Sequence, residues 1–123
     1  MSNVSSSPMD LPAYHCCVRI WHHNEWGCLE YRYAPGDVCE IVDIWADGER
    51  RRTGIGSSMV ERLMKACKRD GIRRVFAVTR FSNGIARDFY EALGFRIMTT
   101  VWHFYPESDD DESNAIMYGK DVT

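Results

Sequence analysis

The segment from Val38 to Arg69 constrains the fold of this 123-residue chain more than any other part. Val38 to Ala46 is nearly continuous in apolar residues, the pattern of a strand in the middle of a sheet. Further on, Met59, Val60, Leu63, Met64 and Cys67 recur with the 3.6-residue spacing of a helix that is apolar along one side. Between them lies Arg50-Arg51-Arg52-Thr53-Gly54-Ile55-Gly56-Ser57-Ser58. A basic, glycine-bearing turn that opens a helix suits an anion, because the first helical N–H groups lack intrahelical partners and the helix dipole favours negative charge there. Gly54 and Gly56 remove the Cβ atoms that would hold a ligand off the backbone. The plain alternative is a surface turn with a solvated charge run, and R-x-x-G-x-G alone does not decide between the two.

The remaining elements follow from periodicity and turn chemistry. Tyr14 to His22 and Cys28 to Tyr33 read as strands, and Pro35-Gly36-Asp37 is a turn, so three sequential strands form an antiparallel meander. Arg73 to Thr79 is a short buried strand reached through a helix, which makes it parallel to the strand before that helix. Ser82 or Asn83 can cap a second helix, Gly84 to Leu93, with Gly94 as its stop. Phe95 to Phe104 and Ala115 to Val122 are the last strands, around an acidic loop with Glu107, Asp109, Asp110, Asp111 and Glu112. That loop is read first as solvated surface and second as a field that steers a cation. The class is α+β, mostly antiparallel, with one central βαβ unit.

Composition narrows the function. With 45% hydrophobic residues and 12% aromatic, the chain can build one core. Met1 to Pro12 is read as a flexible tail and residues 13–123 as a single domain. A net charge of −3 disfavours a general nucleic-acid binder, and no apolar run approaches the roughly 20 residues that cross a membrane. Five cysteines without C-x-x-C spacing, and no secretory signal, are expected to be reduced thiols in the cytoplasm. Cys16, Cys17, His22, His23 and Cys28 make a poor metal set, because adjacent strand residues point to opposite faces. No metal is expected.

Two stretches resemble the GNAT superfamily of acyl-CoA-dependent N-acetyltransferases. Ile41 to Gly56 is similar to the family's apolar strand, short turn and Q/R-x-x-G-x-G/A. Asn83-Gly84-Ile85-Ala86-Arg87-Asp88-Phe89-Tyr90-Glu91-Ala92-Leu93-Gly94-Phe95 resembles its N-x-x-A-x-x-F-Y-x-x-L-G-F. The resemblance implies a GNAT-like sheet, here lacking the usual N-terminal strand and helix pair, and hence a face that a second subunit covers in a homodimer. It implies that the donor is acetyl-CoA, with its pyrophosphate on Arg51, Arg52, Thr53, Gly54, Ile55, Gly56 and Ser57. Its pantetheine would pair with the main chain of Ile44, Trp45 and Ala46 and meet Asn83. The acceptor is an amine, on a small molecule or a protein, which attacks directly in a ternary complex.

The same resemblance makes Tyr90 the acid that protonates the leaving sulfur and Glu40 the base, with Asp43 as fallback and a water chain, as in many relatives, as the further alternative. In a regular strand Glu40 faces one side of the sheet and Asp43 the other, so both reach one site only if a bulge intervenes. The alternative to an enzyme is an acyl-CoA-binding module without turnover, acting as a sensor or structural partner.

Overall fold

The computed structural model describes residues 18–21, 25–47, 54–105 and 113–123. The expected tail, the arginine run, His22, His23 and the acidic loop lie outside the described residues. Among the described residues six strands form one sheet: β1 (Val18–Trp21), β2 (Gly27–Ala34), β3 (Val38–Ala46), β4 (Arg74–Arg80), β5 (Arg96–Val101) and β6 (Ala115–Asp121). Their spatial order is β1-β2-β3-β4-β6-β5. Every neighbouring pair is antiparallel except β3 and β4, which run parallel. The meander and the βαβ step agree with the sequence reading. Sequence pattern did not foresee that β6 inserts between β4 and β5.

Two helices, α1 (Ile55–Arg69) and α2 (Gly84–Ala92), contribute to the same core as the sheet. On the helix side, Leu29, Cys39, Met59, Leu63, Cys67, Val75 and Tyr118 are fully buried. At about 25 cal/mol per Å² of apolar surface removed from water, each large side chain buried here contributes on the order of 2 kcal/mol. The other sheet face, among the described residues, leaves Trp21 and Trp45 each 45% exposed.

Helix α1 starts at Ile55, four residues before the apolar stripe read from the sequence, because Ile55 is itself a core residue. Gly54 caps it with φ 88°, a left-handed conformation that favours glycine. β5 is shorter than expected. Its ladder with β6 ends where Val101 meets Ala115, the first residue of β6, and the chain turns away through His103 at φ 56°.

Gly56 has a packing role that the sequence reading gave to a ligand. A Cβ built there would lie 2.9 Å from Cε1 of Phe89, so the missing side chain is what lets α1 and α2 touch. Helix propensity alone favours Gly56→Ala by about 1 kcal/mol, whereas overpacking costs about 1–3 kcal/mol. We expect Gly56→Ala to lower the unfolding free energy in a urea titration, and Phe89→Leu in the same background to recover part of the loss. A stabilised single variant would show that the Phe89 ring yields at no cost.

Candidate active site

The parallel ladder between β3 and β4 is short. Val38 pairs with Arg74 and Ile41 with Ala77, and the pairing stops there. From Val42 to Ala46 the β3 edge that faced β4 therefore has no strand partner among the described residues, although its other edge remains paired to β2. Such an edge offers main-chain N–H and C=O groups in strand geometry. Ile44, Trp45 and Ala46 lie on it. Ile44 and Ala46 pack against the core on the helix side, and Trp45 is exposed.

The bulge that the parity argument required is present. Glu30 pairs with Asp43, but Tyr31 pairs with Ile41, so Val42 is an extra residue in β3. Residues opposite one another in an antiparallel pair share a face. Glu40 opposite Arg32 and Asp43 opposite Glu30 consequently lie on the same face, the one away from the helices.

Their surroundings differ. Glu40 sits inside the paired part of β3, and its Oε1 accepts from Nε of Arg32 at 2.7 Å and meets Nη2 at 2.5 Å. Asp43 lies beyond the last parallel pair and makes no hydrogen bond or ion pair among the described residues.

Tyr90 projects from α2 into the core and is 5% exposed. Its ring stacks on Tyr118 at 5.8 Å and meets Phe89 and Phe95 edge-on, each at 5.3 Å. These contacts fix the ring, yet among the described residues the hydroxyl makes no hydrogen bond. Burial first, and the charge of Asp43 second, push its pKa up from 10 to about 12. The phenol keeps its proton at neutral pH and feels the Asp43 carboxylate. A buried hydroxyl without a partner costs about 1–3 kcal/mol and calls for a reason beyond packing.

At the start of α1 no side chain caps the helix, and Gly54 accepts through its carbonyl from the amide of Ser58 at 2.9 Å. Ile55 is buried and Ser57 is exposed; Arg51, Arg52 and Thr53 lie outside the described residues. A groove of about 510 Å³ runs from Gly54 and Ser57 past Glu61 and Met64 to Leu93 and Lys120. Asn83 is exposed and its Oδ1 accepts from the amide of Ala86 at 3.0 Å, the plain capping role. Arg87 turns inward, donating to the carbonyl of Phe81 at 3.0 Å. Among the described residues no three His, Cys, Asp or Glu side chains are grouped to hold a metal ion, and no helix is long and apolar enough to span a membrane.

A second cavity, about 260 Å³, was missed by the sequence reading. Arg19, Trp21, Cys28, Glu30, Asp43 and Trp45 line it on the sheet face away from the helices. The alternation of Cys28, Glu30 and Arg32 with Leu29, Tyr31 and Tyr33 was the available signal for the β2 part. The bulge at Val42 hid the contribution of β3.

Among the described residues the helix start has no side-chain cap, the strand edge no strand partner and the buried phenol no hydrogen bond, and comparison with known proteins gives the class. Residues 8–95 match the Acetyltransferase (GNAT) family, and the chain belongs to that family. It is 31% identical over 81 residues to the ribosomal protein bS18-alanine N-acetyltransferase of Escherichia coli, covering 66% of this chain and 55% of that protein. It is 30% identical over 96 residues to N-alpha-acetyltransferase 50 of Danio rerio, covering 68% and 57%. The chain thus spans little more than half the length of these curated relatives. The crystal structure of a Bacillus subtilis acetyltransferase in complex with CoA superposes with a TM-score of 0.74 at 20% identity, over 87% of this chain and 76% of that one, and shows the common fold.

If the Tyr90 hydroxyl has no structural partner, its removal costs the fold little. Tyr90→Phe should match the parent at pH 7 or exceed its stability by about 1 kcal/mol, measured by denaturant titration. The pH dependence has a definite sign. A folded pKa above the unfolded value of about 10 favours the fold below pH 10, and that contribution is lost as pH rises toward 12, at up to about 1.4 kcal/mol per unit. Tyr90→Phe should flatten this alkaline limb; a loss of several kcal/mol at neutral pH would reveal a structural hydrogen bond instead.

Proposed function

We propose that this protein is an N-acetyltransferase that moves an acetyl group from acetyl-CoA to a primary amine by direct attack. The observation that carries the reading is the Tyr90 hydroxyl, buried, without a partner among the described residues, and within the field of Asp43, which lies beyond the last β3–β4 pair. Family membership supports the donor, and the relatives' names support an amine acceptor.

The chain's residues fit the donor at three places. The amides of Ile55, Gly56 and Ser57 at the uncapped start of α1, with Gly54 and the arginines Arg51 and Arg52, would hold the pyrophosphate. The free edge from Val42 to Ala46, including Ile44, Trp45 and Ala46, would pair with the pantetheine amides and polarise the thioester carbonyl. Asn83 spends its side-chain oxygen on the helix cap, and its amide nitrogen, without a partner among the described residues, is the group that would meet the pantetheine.

We assign the base to Asp43 ahead of Glu40. The Glu40 carboxylate is neutralised by Arg32, whereas Asp43 has no counter-charge among the described residues and lies where the strands part. An aliphatic amine enters largely as ammonium, and Asp43 would accept its proton. The nitrogen then attacks the thioester carbon, the C–S bond breaks, and Tyr90 gives its proton to the departing sulfur, while the second proton lost by the nitrogen as the amide forms restores the phenol. The two groups are coupled. The Asp43 charge is one cause that raises the phenol's pKa, so proton uptake by Asp43 makes Tyr90 a better acid when the sulfur leaves.

Thiol release from acetyl-CoA, followed across a panel of primary amines, tests the function. Tyr90→Phe should lower kcat by about 10²-fold or more while leaving coenzyme affinity unchanged. Asp43→Asn should remove the acid limb of the kcat/KM profile, and Glu40→Gln should leave that limb in place. Gly54→Val, which forces a side chain into left-handed backbone at a cost of about 1–2 kcal/mol, should weaken coenzyme binding. Coenzyme binding with no acetylation of any amine would identify a sensor or structural module instead.

A further inference from the structure

The 260 Å³ cavity on the open sheet face has the chemistry of a cation site. Two of its walls are indoles: the Trp21 and Trp45 rings cross at 83° with centroids 6.2 Å apart, forming an aromatic corner. Its floor carries two carboxylates that face each other across β2 and β3, Glu30 and Asp43. Arg19 lies 3.8 Å from Glu30 and offsets that charge, while Asp43 has no ion pair among the described residues, so the lining carries a net negative charge. Cys28, the remaining lining residue, is a buried thiol whose pKa is raised by desolvation and by Glu30 and Asp43 against the opposing pull of Arg19, so it adds no charge at neutral pH. Aromatic faces attract a desolvated cation, and a carboxylate beside them adds direction. An anion would meet both carboxylates, and a neutral apolar group would strand the Asp43 charge.

The cavity shares Asp43 with the proposed reaction site, and the Asp43 charge acts on the Tyr90 hydroxyl, which is buried and has no partner among the described residues. We propose that this pocket holds a second cationic group of the acceptor, carried on a short apolar stem, so that the preferred substrates are diamines or amines bearing a basic side chain. The inference rests on the acetyltransferase reading and names the acceptor class of that site. Trp21 and Glu30 act here as specificity residues, since neither belongs to the donor edge.

The test compares 1,5-diaminopentane with 5-aminopentan-1-ol, which has a similar chain length but a hydroxyl in place of the second ammonium. For the full chain, kcat/KM should favour the diamine by about tenfold. Trp21→Leu and Glu30→Gln should each shrink the ratio toward one, and Trp21→Phe, which keeps an aromatic face, should retain most of it. A second arm needs no acetyl-CoA: titration calorimetry with tetramethylammonium chloride should show binding to the parent that Trp21→Leu loses. Equal rates for the two amines together with no tetramethylammonium binding would overturn the pocket, even in an active transferase. Tetramethylammonium binding with no acetylation of any amine would uphold the cation site and remove the transferase reading.

Discussion

One inserted residue organises β3. With Val42 as a bulge, Cys39 and Ile41 point into the core before it, and Ile44 and Ala46 do so after it. Without the insertion, strict alternation would turn Asp43 and Trp45 toward the helices, burying a carboxylate without a partner. The parallel ladder to β4 also stops at Ile41, directly before the bulge. The same local irregularity therefore turns Asp43 and Trp45 outward and coincides with the point where the ladder to β4 ends. Bulges beside functional sites commonly re-aim side chains in this way.

The second constraint is the contact between Gly56 and Phe89, and it explains why the two sequence motifs occur together. The glycine of the first motif makes room for the aromatic ring of the second. Phe89 and Tyr90 are consecutive in α2, so seating one ring against α1 fixes the rotation of the helix. Tyr90 is then delivered into the stack with Phe95 and Tyr118. Gly54 acts differently: a Cβ there would meet nothing within 4 Å, and its positive φ is what requires glycine.

Local rules made most of the fold legible. β3 was bounded correctly from apolar content, and α2 to within one residue from its Ser82 or Asn83 cap signal and the Gly94 stop, with Asn83 the actual cap. Strand pairing by sequence neighbour could not place β6, because its position between β4 and β5 is set by long-range registry rather than by any turn signal. In the site, the identities of Tyr90 and the β3 edge were readable from motif spacing. What they touch was not. Arg32 claiming Glu40 is a cross-strand event, and the Val42 bulge that brings Asp43 beside Trp45 has no marker such as glycine or proline within β3.

These features give the two sides of the sheet separate tasks. The helix side packs Tyr90 so tightly that its ring is fixed, while its hydroxyl has no partner among the described residues. The opposite side holds Asp43, Glu30 and the crossed indoles in an open cavity. Desolvation penalises the charged form, and the Asp43 charge adds to it, so the buried phenol holds its proton at neutral pH. A sheet opened at a bulge thus carries the phenol on its helix side and the carboxylate on its open side.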